Sequence, residues 1–168
     1  MPEQPTIPLE QATQAVNDMT RRVALLYLSF ARTLVDTLGE EQGRALIAQI
    51  MRDYGTRIGR ATRARVEALG QEPTPENFNR GSDLSPIGFH AGVAMVDGEP
   101  RRQVFGCVLA EVWREYGEEA LADLYCLVDP AKMEAYNPDF TMTHTRKVLW
   151  GDECCEMATR RIRPTPEE

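Results

Sequence analysis

The stretch FHAGVAMVDGEPRRQVFGCVLA, residues 89–110, decides how this chain folds. At its centre Asp97-Gly98 is a two-residue hairpin signal. The tight turn that matches strand twist needs a positive φ at both central positions, which glycine takes freely and aspartate tolerates. β-branched residues on both sides predict two paired strands, residues 89–96 and 99–110. A second strand pair is expected at 142–150 and 154–162 around Gly151-Asp152, and the residues between the pairs, 111–136, read as helix broken at Gly117 and at Asp129-Pro130.

Upstream of residue 89 the period is helical. In residues 9–38 Val16, Met19, Val23, Leu26, Phe30, Leu34 and Leu38 recur at helical spacing, and Gly39 suits a C-cap. Residues 40–69 repeat the pattern with Leu46, Ile47, Ile50, Tyr54, Ile58 and Ala61, closed by Gly70. Gly55 and Gly59 predict a bend or a close helix contact. So short a connection makes the two helices an antiparallel hairpin. Proline and glycine mark residues 71–86 as a connector with one helical turn near Phe78. The expectation is an α+β fold, in which the N-terminal helical hairpin packs on an antiparallel sheet of about four strands with a helical insertion. Residues 9–163 form its one domain, between flexible tails at 1–8 and 164–168.

Composition narrows the function. With 26 acidic residues against 19 basic ones, the net charge of −7 opposes a polyanion, so nucleic acid is not expected as a partner. Neither a signal peptide nor a long uncharged apolar run is present, which points to the cytoplasm and away from a membrane. In that compartment Cys107, Cys126, Cys154 and Cys155 are free thiols. Residues 23–30 are apolar nearly all round, as befits a core or a subunit interface, and a homo-oligomer, most simply a dimer, is expected.

The thiols are the candidate chemistry. Cys107 stands where a strand runs into a helix, and a thiol at a helix N-terminus is biased towards thiolate. The other reading of Cys107 is a small hydrophobe in the core. Cys126 ends an apolar helix face, which favours core filling. Asp129 precedes Pro130 and reads either as an N-cap or as a general base. In a strand Cys154 and Cys155 point to opposite faces, so one sulfur at most faces the core. His90 and His144 fall in the expected strands and, with Cys126, are candidate ligand contacts. No CxxC occurs and the spacings match no closed zinc module, so neither a metal nor another cofactor is expected. GxGxxG, Walker A, GxSxG and HExxH are all missing, which removes nucleotide folds and common hydrolase signatures.

Four segments in order then suggest a family: Cys107-Val-Leu-Ala-Glu-Val-Trp-Arg-Glu-Tyr-Gly117, the run from Leu121 to Cys126-Leu-Val-Asp129, Arg146, and Gly151-Asp-Glu-Cys-Cys155-Glu156. Together they resemble the L-2-amino-thiazoline-4-carboxylic acid hydrolase family over residues 15–160, with Met157 where an aromatic is usual and Cys154 as an added thiol. The resemblance implies a small-molecule hydrolase opening an amidine-like or thioimidate-like C–N or C–S bond. Its substrate would be a sulfur-containing amino-acid derivative. In that reading Cys107 is the nucleophile with Cys155 beside it, Asp129 or Glu111 is the base, and Arg146 meets a substrate carboxylate. A more distant resemblance to 4-vinyl reductase-type domains implies instead a binding module for a small molecule or metal without catalysis. A scaffold whose cysteines only fill the core is the third reading.

Overall fold

The computed structural model describes residues 6–163 except 83, 85, 86 and 88. Residues 1–5 of the tail expected at 1–8, the whole of the tail expected at 164–168, and Pro86 of the connector lie outside the described residues. Two long helices, α1 (Leu9–Leu38) and α2 (Glu40–Ala68), meet at Gly39, whose φ of 80° is one that side chains resist. A 3-10 helix, Pro75–Gly81, follows at the predicted turn near Phe78. Strands β1 (His90–Val96) and β2 (Glu99–Phe105) pair across Asp97 and Gly98, both with positive φ as the hairpin reading requires. Then come α3 (Val108–Glu115), the single-turn α4 (Glu119–Ala122), a 3-10 helix (Asp123–Leu127) and α5 (Val128–Tyr136). Strands β3 (Phe140–Arg146) and β4 (Cys155–Arg161) complete an antiparallel sheet of order β1-β2-β4-β3. The fold is α+β, as expected.

Several boundaries differ from the sequence reading. The strand expected to reach Ala110 ends at Phe105, because Gly106 (φ 64°) turns the chain and α3 starts at Val108. Past Arg146 the third strand gives way to a 3-10 turn, Val148–Trp150, capped by Gly151 in the left-handed region. Gly117 breaks the helical segment, but Asp129-Pro130 does not. Both sit in the first turn of α5, where a missing N–H costs nothing.

The apolar stripe read along α1 is largely not its core face. Met19, Leu26 and Phe30 are more than half exposed, while Ala24, Tyr27, Leu28, Ala31 and Val35 are buried. Alanines let α1 come close to α3, where Trp113 Nε1 donates to the Ala24 carbonyl at 3.1 Å and the Trp113, Tyr27 and Tyr125 rings pack together. Along α2, Ile47 is buried as read, Ile50 and Tyr54 are exposed, and glycines take their place. A methyl at Gly55 would stand 2.5 Å from the Val128 carbonyl oxygen, and one at Gly59 would overlap that of Lys132. The close helix contact foreseen at these glycines is therefore with α5. It presses the first turns of α5 towards the sheet, whose inner face carries Val104, Met142 and Met157 against Val66, Phe78, Met133 and Tyr136. Among the described residues no helix is long and apolar enough to cross a membrane.

Candidate functional site

Five pieces of chain converge on the first turn of α5. Asp129, the second residue of that helix, accepts a hydrogen bond from Lys132 Nζ at 2.8 Å and lies 3.4 Å from His144 Nε2 on β3. It is not the expected N-cap, since its carboxylate takes these two partners and no backbone N–H. Burial works to raise its pKa, but Lys132 and then His144 outweigh that, and the group is held below the ordinary carboxylate range. His144 shows the converse balance. Burial lowers its pKa more than Asp129 raises it, which favours the neutral ring near pH 7.

Three of the four thiols share this neighbourhood. Cys107 is the N-cap residue of α3 but makes no side-chain cap hydrogen bond; the nearby backbone N–H groups of Ala110 and Leu109 favour its thiolate, while the charges of Cys155 and Asp129 oppose it. The helix terminus was expected to bias it towards thiolate. Burial overrides that bias and pushes its pKa up to about 11. Cys126, in the 3-10 helix before α5, is raised further by burial, against the pull of Lys147. Cys155, at the start of β4, is raised by burial too and has a Val148 N–H beside it. Cys154 falls outside the group and is buried, its thiol raised by burial. Cys154 lies before β4, so the strand alternation expected of the pair does not apply to it; its charged neighbours are Arg146, Glu156, Glu153 and Asp152, whereas Cys155 feels Asp129.

The remaining expected residues lie elsewhere. Glu111 is exposed on α3 and bears on Arg21 of α1. His90 is exposed at the start of β1. Arg146 pairs in register with Glu156 across a bulge, so it points to the outer sheet face. There it lies 3.5 Å from Asp152 and remains half-exposed. Glu156, buried on that same face, accepts from Gln103 at 2.9 Å and Thr145 at 2.8 Å.

Two cations that sequence reading passed over stand near the thiols, Lys132 on α5 and Lys147 just after β3. The chain has two lysines against seventeen arginines, and both lysines flank the thiols. Lys132 holds Asp129, and Lys147 bonds Asp123 at 2.7 Å while its Nζ sits 4.6 Å from the centre of the Trp150 ring. That scarcity was a usable signal, because lysine in place of arginine gives a compact point charge. Beside them opens a cleft of about 280 Å³, lined by Cys126, Leu127, Pro130, Met142, His144, Lys147 and Trp150 with two β3 threonines. Among the described residues no three His, Cys, Asp or Glu side chains are placed to hold one metal ion.

A family model described as L-2-amino-thiazoline-4-carboxylic acid hydrolase matches residues 18–158. Neither a curated protein nor a solved structure matches the chain.

Proposed function

The chain belongs to the L-2-amino-thiazoline-4-carboxylic acid hydrolase family, and from that premise we propose that it is a small-molecule hydrolase that opens a C–N or C–S bond through its thiol cluster. The observation that carries this reading is the meeting of Cys107, Cys126 and Cys155 around one Asp129–His144 pair beside a cleft. Cys107 is the nucleophile, since it stands at the N-terminus of α3, where the helix dipole and the nearby Ala110 and Leu109 N–H groups favour the thiolate it becomes. Asp129 is too weak a base to ionise it, so neutral His144 takes the proton, oriented by Asp129. Sulfur adds to an amidine-like carbon. The adduct then breaks its C–S or C–N bond as the proton passes to the leaving atom, and water attacks the remaining thioester-like or thioimidate-like carbon to free the thiol. A compact sulfur-containing amino-acid derivative fits this chemistry.

A second reading, a binding module that grips its ligand without turnover, draws on one feature: burial raises the pKa of all four thiols and so disfavours the thiolate near neutral pH. One variant separates the two. Cys107→Ser is expected to abolish hydrolysis of 2-amino-thiazoline-4-carboxylate while keeping the melting temperature. A folded, active Cys107→Ser enzyme would remove Cys107 as nucleophile, and a wild type that binds this compound without consuming it would leave the binding module. We also infer that the protein acts as a homodimer, through the exposed α1 residues Met19, Val23, Leu26 and Phe30. Their 4-3-4 spacing is that of a helix–helix seam.

A further inference from the structure

We infer that Lys147 is the anchor for a ligand carboxylate, and that the cleft takes a compact planar anion which displaces Asp123 from Lys147 and lies against the Trp150 ring. This deepens the proposed hydrolase and rests on that reading for the ligand's reactive end, while the anchor rests on the cleft itself.

The Lys147 side chain is about one-tenth exposed, and a charge so covered needs a partner. Asp123 supplies one from the rim, where its side chain is 36% exposed. An ion pair with one member in water is exchangeable, because a departing Asp123 is solvated at once while Lys147 keeps a negative neighbour. Lys147 has three N–H donors, and Asp123 is the one protein acceptor found for them among the described residues. The Trp150 ring, 57% exposed, offers a flat face next to that charge, which suits a planar group. A volume of about 280 Å³ falls just below the usual range for drug-sized ligands, so the occupant is small. Arg146 cannot compete for the carboxylate, since it faces the other side of the sheet beside Asp152. A carboxylate on Lys147 would set the rest of the molecule over Cys126 and His144, which line the same cleft.

Alkylation of Cys126 tests this without any turnover. The same thiolate displaces iodide from iodoacetate and from iodoacetamide, which differ in carrying or lacking a carboxylate, so the ratio of their rates at Cys126, followed by peptide mass spectrometry, cancels the thiol's own reactivity. Relative to the urea-unfolded chain, the native ratio is expected to rise about fivefold in favour of iodoacetate through attraction to Lys147. Lys147→Met should return it to the unfolded value, and Asp123→Asn, which keeps the lysine and removes its competitor, should raise it further. If Lys147→Met does not fold, the Asp123→Asn arm decides alone. A ratio that ignores Lys147→Met, one that stays level or falls in Asp123→Asn, or a native Cys126 that neither reagent reaches would each overturn the anchor. An active enzyme with an unresponsive ratio ends the anchor and leaves the hydrolase, whereas a responsive ratio in a protein that turns nothing over does the reverse.

Discussion

At the β3 edge of the sheet Asp129, Lys132, His144 and Lys147 are covered by helix and turn, while at the β1 edge Val93 and Met95 stand 73% and 68% exposed. Register puts Val93 opposite Arg102 and Met95 opposite Pro100, on the same side of the sheet as the core residues Val104 and Met157. The alternation of side chains is the same at both edges. Cover is what differs: α5, drawn in by Gly55 and Gly59, lies along β3, and β1 pairs with β2 beyond the reach of that helix. Charges are therefore buried at one edge and apolar groups bared at the other, each against its solvent preference. Such departures mark the parts of a protein kept for use rather than for stability.

If the β3 edge is held together by its ion pairs, breaking one should cost more than any change at β1. Asp129→Asn would leave Lys132 and His144 facing a neutral amide in a largely buried site, and we expect a loss of about 3 kcal/mol in urea unfolding. Lys132→Met should cost a similar amount. The double variant should cost less than the sum, since the second change removes a charge already stranded by the first. A loss under about 0.5 kcal/mol for Asp129→Asn, as at ordinary surface positions, would mean that the pairs are incidental to the fold.

The same edge should respond to pH from both sides. Asp129 has a lowered folded pKa, so its contribution is present above its unfolded value of about 3.9 and is lost as pH falls through the folded one. His144 is lowered as well. The unfolded chain takes up its proton first, and stability falls as pH drops below about 6.5. Cys107 is raised, so its contribution is whole below pH 9 and is lost between pH 9 and about 11, where only the unfolded chain ionises. Urea midpoints at pH 7, 9 and 10.5 should fall on the alkaline side, and less steeply in Cys107→Ser. An identical alkaline slope in the variant would show that the thiol is not as covered as its surroundings imply.

The bare edge was the legible one. Asp97-Gly98 specifies the β1–β2 turn through backbone sterics alone, and both residues take the positive φ that the turn demands. The order of helices and strands followed from periods that are equally local. What local patterns could not supply was which helix face meets what. On α1 the large Leu26 and Phe30 outweigh Ala24 and Ala31 in any apolar count, yet both alanines are buried, Ala24 against Trp113, whose indole eighty-nine residues away bonds its carbonyl. Asp129 before Pro130 carries the local signature of a cap, and a lysine one turn on and a histidine on β3 take its carboxylate instead. Cys107 was placed correctly at a helix start. Between its two readings, thiolate or small hydrophobe, the balance turns on burial, which is a property of the whole fold and which no local pattern carries.

The smallest effect on the folded chain, and the one that sharpens the contrast most, concerns the two bare apolar surfaces. Phe30 on α1 is 65% exposed and Val93 on β1 is 73% exposed, so neither Phe30→Glu nor Val93→Lys should change the stability of a monomer by more than about 0.5 kcal/mol. Their effects on association should differ. The α1 residues Met19, Val23, Leu26 and Phe30 repeat at seam spacing along a helix of 30 residues, which a second copy can meet antiparallel about a two-fold axis with the same residues on both sides. β1 is only seven residues long against the thirty of α1, and so short an edge strand offers a second copy little to pair with. Light scattering should therefore find a dimer for the native chain and for Val93→Lys, and a monomer for Phe30→Glu. The urea midpoint should rise with protein concentration in the first two and be flat in the third, because only a dimer gains stability by mass action. A native chain that is monomeric at micromolar concentration would remove the α1 seam, and a dimer lost on Val93→Lys but kept in Phe30→Glu would move the interface to the sheet edge.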